Sequence, residues 1–277
     1  MTSHVRRNVS PNVWGPSTWA LLHACAQGYS NNPKPEERLA FANLMDALPH
    51  VLPCTSCRNN VVKELTVMPY APALASTRAI LEYINALQNS VSARLGKPTW
   101  TLHAALRHYR LDATSAVASC GTRHDLSPAV WADKAWHVMT AVAFAFPDSP
   151  SPQEQRALKD FYTSLAVLLP DEDFRKRLAA QLALREPATE TARDAGEWLG
   201  QLKTSFEGKT VEYEDMVSDL FKSATLKIAA GSRQDLSKLD IGLIVGVTAL
   251  FIAFIVVLFI AIKRRRHSNI QAAKRSA

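Results

Sequence analysis

Leu52-Pro53-Cys54-Thr55-Ser56-Cys57-Arg58 is the stretch from which the rest of this chain can be read. Proline is tolerated at a helix start and not inside one, so the two cysteines are predicted to open a helix whose apolar pattern runs from Val61 to Leu65. At such a position backbone N–H groups and the helix dipole stabilise a thiolate, and two cysteines at this spacing form a readily exchanged disulfide. Half a zinc site is a second reading, but it would have to recruit distant histidines such as His23 and His50. A thioredoxin-like motif is a third, and it would need a βαβ setting. No run of this sequence alternates with period two.

Outward from that stretch the periodicity is helical. Phe41, Leu44, Met45 and Leu48 fall at i, i+3, i+4, i+7, and so do Ile80, Tyr83, Ile84 and Leu87. Prolines at 33, 35, 49, 53, 69 and 72 punctuate the gaps, so a helix ending near Leu48 is expected. Glycine is scarce, at 10 of 277 residues, and 47% of residues are apolar, which favours an all-α fold with a buried core. The first hundred residues read as four or five short helices in a small antiparallel bundle. Four cysteines (Cys25, Cys54, Cys57, Cys120) are too few to staple a scaffold of this size.

The second half repeats the first. A shift of 117 places Val13-Trp14 on Val130-Trp131, Trp19 on Trp136, Leu52-Pro53 on Leu169-Pro170 and Arg58 on Arg175, with 13 of 46 positions identical over residues 13–58. Repeated supersecondary units pack on one another. In the second copy Thr140 replaces His23, Asp171 replaces Cys54 and Phe174 replaces Cys57, so the framework is retained and the reactive groups are gone. The expected organisation is a catalytic domain over 1–115 and a degenerate helical domain over 125–225.

A linker over 226–240 leads to Ile241–Ile262, 22 residues without a charge. As a helix it would span roughly 33 Å, enough for a hydrocarbon core of about 30 Å, so one C-terminal transmembrane helix is expected. The formal charge of +7 is concentrated in the basic tail, 263–277, whose six Lys and Arg residues have no acid among them. With only +1 left for the remainder, no nucleic-acid footprint is expected. Met1–Asn12 carries Arg6 and Arg7 without an apolar stretch behind them, so no cleaved secretory signal is expected. The basic tail favours a cytosolic tail end with the folded part outside or in a lumen, whereas a tail anchor without a signal would leave it in the cytosol. The side is left open.

Gly15, Trp19 and His23 lie at i, i+4, i+8, one face of one helix, offering close backbone approach, a flat stacking surface and an imidazole. Gln88, Ser92 and Leu95 form a second face, with Asn89 adjacent and Gly96-Lys97 at the helix end, where a lysine can meet a phosphate. Trp19 and His23 also suit an ordinary core. Together, Trp14-Gly15-Pro16-x-x-Trp19-x-x-x-His23, Pro53-Cys54-x-x-Cys57 and Gln88-Asn89-x-Val91-Ser92-x-x-Leu95-Gly96-Lys97-Pro98 resemble the Erv/ALR sulfhydryl oxidase domain over about residues 13–100.

That resemblance implies a four-helix bundle with a fifth short helix, holding FAD non-covalently. It implies that Cys54 exchanges with protein dithiol substrates, that Cys57 lies next to the flavin, and that dioxygen accepts the electrons as hydrogen peroxide. Gly15, Trp19, His23, Gln88, Asn89, Val91, Ser92, Leu95 and Lys97 would form the FAD site, and no metal is implied. Departures are Gln88 where the family usually has His, Ser92 where it has Asn, and the absence of a structural disulfide whose cysteines would fall near Asn85 and Leu102. No second, shuttling cysteine pair is present; Cys25 reads as a buried structural thiol. Family domains dimerise, so the second half would stand in for a partner within one chain, with a homodimer as the alternative. Membrane-attached relatives occur in large DNA viruses, which implies an intracellular membrane or a virion envelope. A flavin-free thiol–disulfide exchanger and a membrane-anchored scaffold are the rival readings.

Overall fold

Prolines and small polar caps set most of the helix starts. The computed structural model describes residues 6–111 and 126–222. Its helices are α1 (Pro11–Gly28), α2 (Pro35–Val51), α3 (Thr55–Val67), α4 (Thr77–Arg94), α5 (Leu102–His108), α6 (Pro128–Ala145), α7 (Pro152–Leu168), α8 (Glu172–Leu184), α9 (Ala192–Glu207) and α10 (213–222). A 3-10 turn, Ala71–Ala75, precedes α4. Among the described residues there is no strand. Four of the helices begin on a proline, where the missing N–H would have had no partner. Ser76, Thr101, Ser151, Asp171 and Thr191 accept hydrogen bonds from the first turns of α4, α5, α7, α8 and α9. Gly208 ends α9 in the left-handed conformation.

α2 continues to Val51 with Pro49 inside it, beyond the end at Leu48 that the proline suggested. Leu48 and Val51 are 3% and 0% exposed, and their burial holds the last turn in place despite the lost hydrogen bond.

α1 and α6 have 18 residues each, α2 and α7 have 17, α3 and α8 have 13, and each pair is offset by 117 residues. The caps Ser76 and Thr191 are offset by 115, so α9 keeps the order with a shorter connection before it. The described residues fall within one compact unit, Met1–Ser223. Its most extensive helix contact is α2 against α7, followed by α1 against α6. Gly28 lies at this junction: a Cβ there would sit 2.7 Å from the Leu168 carbonyl oxygen and 2.8 Å from Pro170 Cα. Phe41, Leu44, Met45, Leu158, Phe161 and Leu165 are fully buried along α2 and α7.

Trp131, Trp136 and Trp198 are core residues. No helix among the described residues is long and apolar enough to cross a membrane. The predicted span 241–262, its linker, the basic tail and Cys120 lie outside the described residues.

Candidate redox and cofactor site

Cys54 is the residue just before α3, with extended backbone (φ −129°, ψ 124°), and Cys57 is one turn in. They form a disulfide with Cα atoms 5.1 Å apart. The Cys57 N–H donates to Cys54 Sγ at 3.2 Å, and the Ser56 hydroxyl lies 3.1 Å from the same sulfur. The sulfur therefore takes the place of a capping oxygen, where a thiolate formed on reduction keeps its donor. Arg58 donates to the Leu52 carbonyl at 2.9 Å and to the Thr55 hydroxyl at 3.1 Å, bracketing Cys54 with positive charge. Burial first, and repulsion from Arg58 second, bring Arg6 down to about 10, with Glu154 opposing. Both guanidiniums stay charged at neutral pH.

A segment ahead of α1 lies against this turn. Val9 N–H donates to the Pro53 carbonyl at 2.8 Å, and Thr55 N–H donates to the Asn8 side-chain oxygen at 3.0 Å. The Trp14 indole holds the Val9 carbonyl at 3.1 Å. Arg6 donates to the Ala145 carbonyl and pairs with Glu154, and Arg7 donates to the Phe144 carbonyl. Cys54 is 4% exposed, whereas Cys57 is half-buried.

The second cluster is built on α1 and α4. His23 is fully buried, and its Nε2 lies 2.9 Å from Gln88 Oε1; the Gln88 amide donates to the Tyr109 hydroxyl at 2.8 Å. Since Gln88 Oε1 can only accept, Nε2 carries the imidazole hydrogen and Nδ1 is a bare acceptor. That Nδ1 is buried without a partner. Burial lowers the His23 pKa to about 4, so the ring is neutral, while burial pushes Tyr109 up to about 12. The Tyr109 ring stacks on His23 with centroids 5.2 Å apart.

α4 carries the remaining predicted residues. Asn89 spends its side chain on one backbone unit, donating to the Trp100 carbonyl at 2.7 Å and accepting from Trp100 N–H at 2.8 Å. Asn85 adds a bond to the same carbonyl at 3.2 Å. Val91 and Ser92 are half-buried, and Leu95, Gly96 and Lys97 are exposed around the helix end, where Gly96 takes φ +64°. Ser90 donates to Glu64 at 2.6 Å, tying α4 to α3.

The face predicted on α1 exists, but its members differ. Trp19 is half-buried and His23 is fully buried. Gly15 has no atom within 4 Å of where a Cβ would stand. α3 buries no residue of its own, and Val62 and Val67 are 50% and 84% exposed. An orphaned buried acceptor, open space over Gly15 and an uncovered helix suit a large flat cofactor bearing hydrogen-bond donors. The residues flanking Cys54, Pro53 and Thr55, are bonded to the Asn8–Val9 segment, and His23 is bonded to Gln88.

Three contributors escaped the sequence reading: Tyr109, Trp100 and Asn8. The family-like motif ends at Pro98, and the aromatic residues beyond it, Trp100, His108 and Tyr109, are the signal for two of them; Trp100 and His108 pack 4.2 Å apart. Asn8 had no signal, because its role depends on a contact across 47 residues.

Residues 16–110 match the model of the Erv1 / Alr family. An FAD-linked sulfhydryl oxidase of Invertebrate iridescent virus 3 is 25% identical over 138 residues, covering 50% of this chain and 93% of that protein. One from Invertebrate iridescent virus 6 is 30% identical over 108 residues, covering 37% of this chain and 97% of its own. The mitochondrial FAD-linked sulfhydryl oxidase of Schizosaccharomyces pombe is 31% identical over 84 residues, 30% of this chain and 46% of that one. No solved structure matches.

Proposed function

The chain belongs to the Erv1/Alr family, and we propose that it is an FAD-linked sulfhydryl oxidase that turns pairs of substrate thiols into disulfides. The observation that carries this reading is the Cys54–Cys57 disulfide at the start of α3, with the Cys57 N–H on the Cys54 sulfur. A substrate thiolate attacks Cys54 Sγ, the bond to Cys57 breaks, and Cys57 leaves as a thiolate. A second substrate thiol resolves the mixed disulfide, leaving the electron pair on the two cysteines. FAD held here would supply the two-electron acceptor for that pair and its onward route to dioxygen, with hydrogen peroxide as the product. His23 offers an acceptor at Nδ1 held in place by Gln88 and Tyr109, Trp19 a stacking surface, and Gly15 room for close approach. Val91, Ser92, Leu95 and Lys97 complete the lining at the end of α4, while Asn89 shapes it through Trp100.

The second half acts as scaffold in this reading, a degenerate copy of the first. The equal helix lengths at a constant offset support it, and so does the interior. Phe174, at the place of Cys57, packs on Trp131 at 5.0 Å, Trp136 at 6.2 Å and Phe206 at 4.5 Å. Aromatic side chains thus occupy the place that Cys57 takes in the first half. α2 meets α7 and α1 meets α6, each helix against its own counterpart, the pattern of a two-fold dimer within one chain. Residues 241–262 anchor the protein to a membrane in the same reading, on the strength of their uncharged length.

An absorption spectrum of the purified full chain, followed by oxygen uptake with dithiothreitol, tests the proposal. Flavin absorption and uptake that disappears in Cys57→Ser are expected. A folded, colourless protein that takes up no oxygen with added FAD would overturn it and leave the exchanger or the scaffold.

A further inference from the structure

Cys54 receives the substrate in the reading above, yet it is 4% exposed. The peptide groups on both sides of it are occupied by one short segment: Pro53 C=O accepts from Val9 N–H, and Thr55 N–H donates to Asn8. An acceptor and a donor spaced two residues apart form the edge along which an extended peptide pairs. Asn8 itself is exposed, so its bond forms in competition with water. On one side the segment is fixed to α6 and α7 through Arg6 and Arg7, and on the other to Trp14 through the Val9 carbonyl.

We propose that Pro53–Thr55 is the docking edge for substrate, and that residues 8–9 occupy it as a stand-in which an extended, cysteine-bearing peptide segment displaces. This rests on the oxidase reading above. The incoming segment replaces the Val9 N–H on Pro53 C=O with its own N–H and the Asn8 side-chain oxygen on Thr55 N–H with its own C=O, which aligns its thiolate with Cys54 Sγ. The S–S bond to Cys57 breaks as the new S–S bond to Cys54 forms, and Cys57 leaves as a thiolate. A second thiol of the same segment, as its thiolate, then attacks the mixed disulfide and the S–S bond to Cys54 breaks, so the segment leaves as a disulfide, the two electrons stay on Cys54 and Cys57, and the two thiol protons pass to solvent or to those sulfurs. The arginine anchors hold the displaced segment near the edge, so that it returns after each turnover. Substrates are therefore unfolded or locally extended chains rather than rigid surfaces.

The test compares oxygen uptake of the full chain and its Asn8→Ala and Asn8→Asp variants with a reduced, unstructured two-cysteine peptide. Alanine removes the acceptor, and kcat/KM for the peptide rises about two- to tenfold, the range set by one neutral hydrogen bond. Aspartate keeps a stronger acceptor and lowers it. A purely structural cap predicts the opposite order, and that order, or equal rates in all three, overturns the proposal. Dithiothreitol uptake by the unaltered chain is read alongside, and its absence condemns the oxidase reading instead. Independently of turnover, amide exchange is followed in Cys57→Ser joined to the peptide through Cys54. The Val9 amide is expected to lose protection, and unchanged protection there overturns the proposal even if the Asn8 variants fail to fold.

Discussion

His23 and Gln88 share one hydrogen bond of 2.9 Å, and Gln88 links it to a third residue, Tyr109. The Gln88 amide nitrogen donates to the Tyr109 hydroxyl while its oxygen faces the imidazole, so a neutral ring donates to it. Protonating that ring would bury a charge, which is why its pKa falls to about 4. The unfolded chain takes up this proton near the usual histidine value of about 6.5, so it binds more protons than the folded chain between the two. Stability is therefore full above about pH 6.5, is lost as pH falls towards 4, and levels off below. The loss from this residue is up to roughly 3 kcal/mol. Urea midpoints measured from pH 7 to pH 4 should fall less steeply in His23→Asn than in the unaltered chain.

Gly15→Ala should move two quantities in opposite directions. No atom lies within 4 Å of the added methyl, and alanine favours a helix interior by about 0.5–1 kcal/mol, so the flavin-free protein gains stability. The same methyl stands in the open space assigned to the cofactor, so flavin is retained less well. Thermal midpoints of the flavin-stripped protein and fluorescence titration with FAD read the two effects separately. Tighter FAD binding would show that the space serves something else.

Gly28→Ala has no such room. The methyl would press on the backbone between α7 and α8 at Leu168 and Pro170, where no side chain can rotate away. A loss of about 1–3 kcal/mol is expected from denaturant unfolding.

Phe174→Ala opens a hole between Trp131, Trp136 and Phe206 and should cost about 3 kcal/mol or more. Flavin content should stay at one per chain, because the second half has neither the imidazole of His23 nor the cysteine pair. Denaturant unfolding and the ratio of flavin to protein absorbance check the two parts.

Cys25 should be silent. It is fully buried, and burial pushes its thiol up to about 12. In a chain with Cys54, Cys57 and Cys120 replaced by serine, a thiol reagent should react only after denaturant is added. Reaction in the native state would place that thiol on a path to solvent.

Much of this was legible in the sequence, because it rests on local rules. Pro53 and the Cys54-x-x-Cys57 spacing fixed a helix start, and α3 begins at Thr55. His23 and Gln88 each fall on a helix face by spacing, one per helix, and a hydrogen bond joins them. What escaped depends on distant parts of the chain meeting. Tyr109 reaches Gln88 across 21 residues, and Asn8 reaches Thr55 across 47, with no period linking either pair. Pro49 misled in the other direction: a local rule placed a helix end where the buried Val51 extends the helix. Asn89 was expected to meet the cofactor, and its hold on Trp100 was not visible, because a side-chain amide fits a ligand and a backbone equally well.

Asn85 and Asn89 fasten the chain after α4 through the Trp100 peptide unit, in the neighbourhood where relatives are expected to use a disulfide. A fastening made of amides has no reduction potential. A thiol that reduces Cys54–Cys57 finds no bond to cleave at this latch. The loop that carries Tyr109 to His23 is thereby insulated from the chemistry it surrounds, and dithiothreitol at any concentration leaves it fastened.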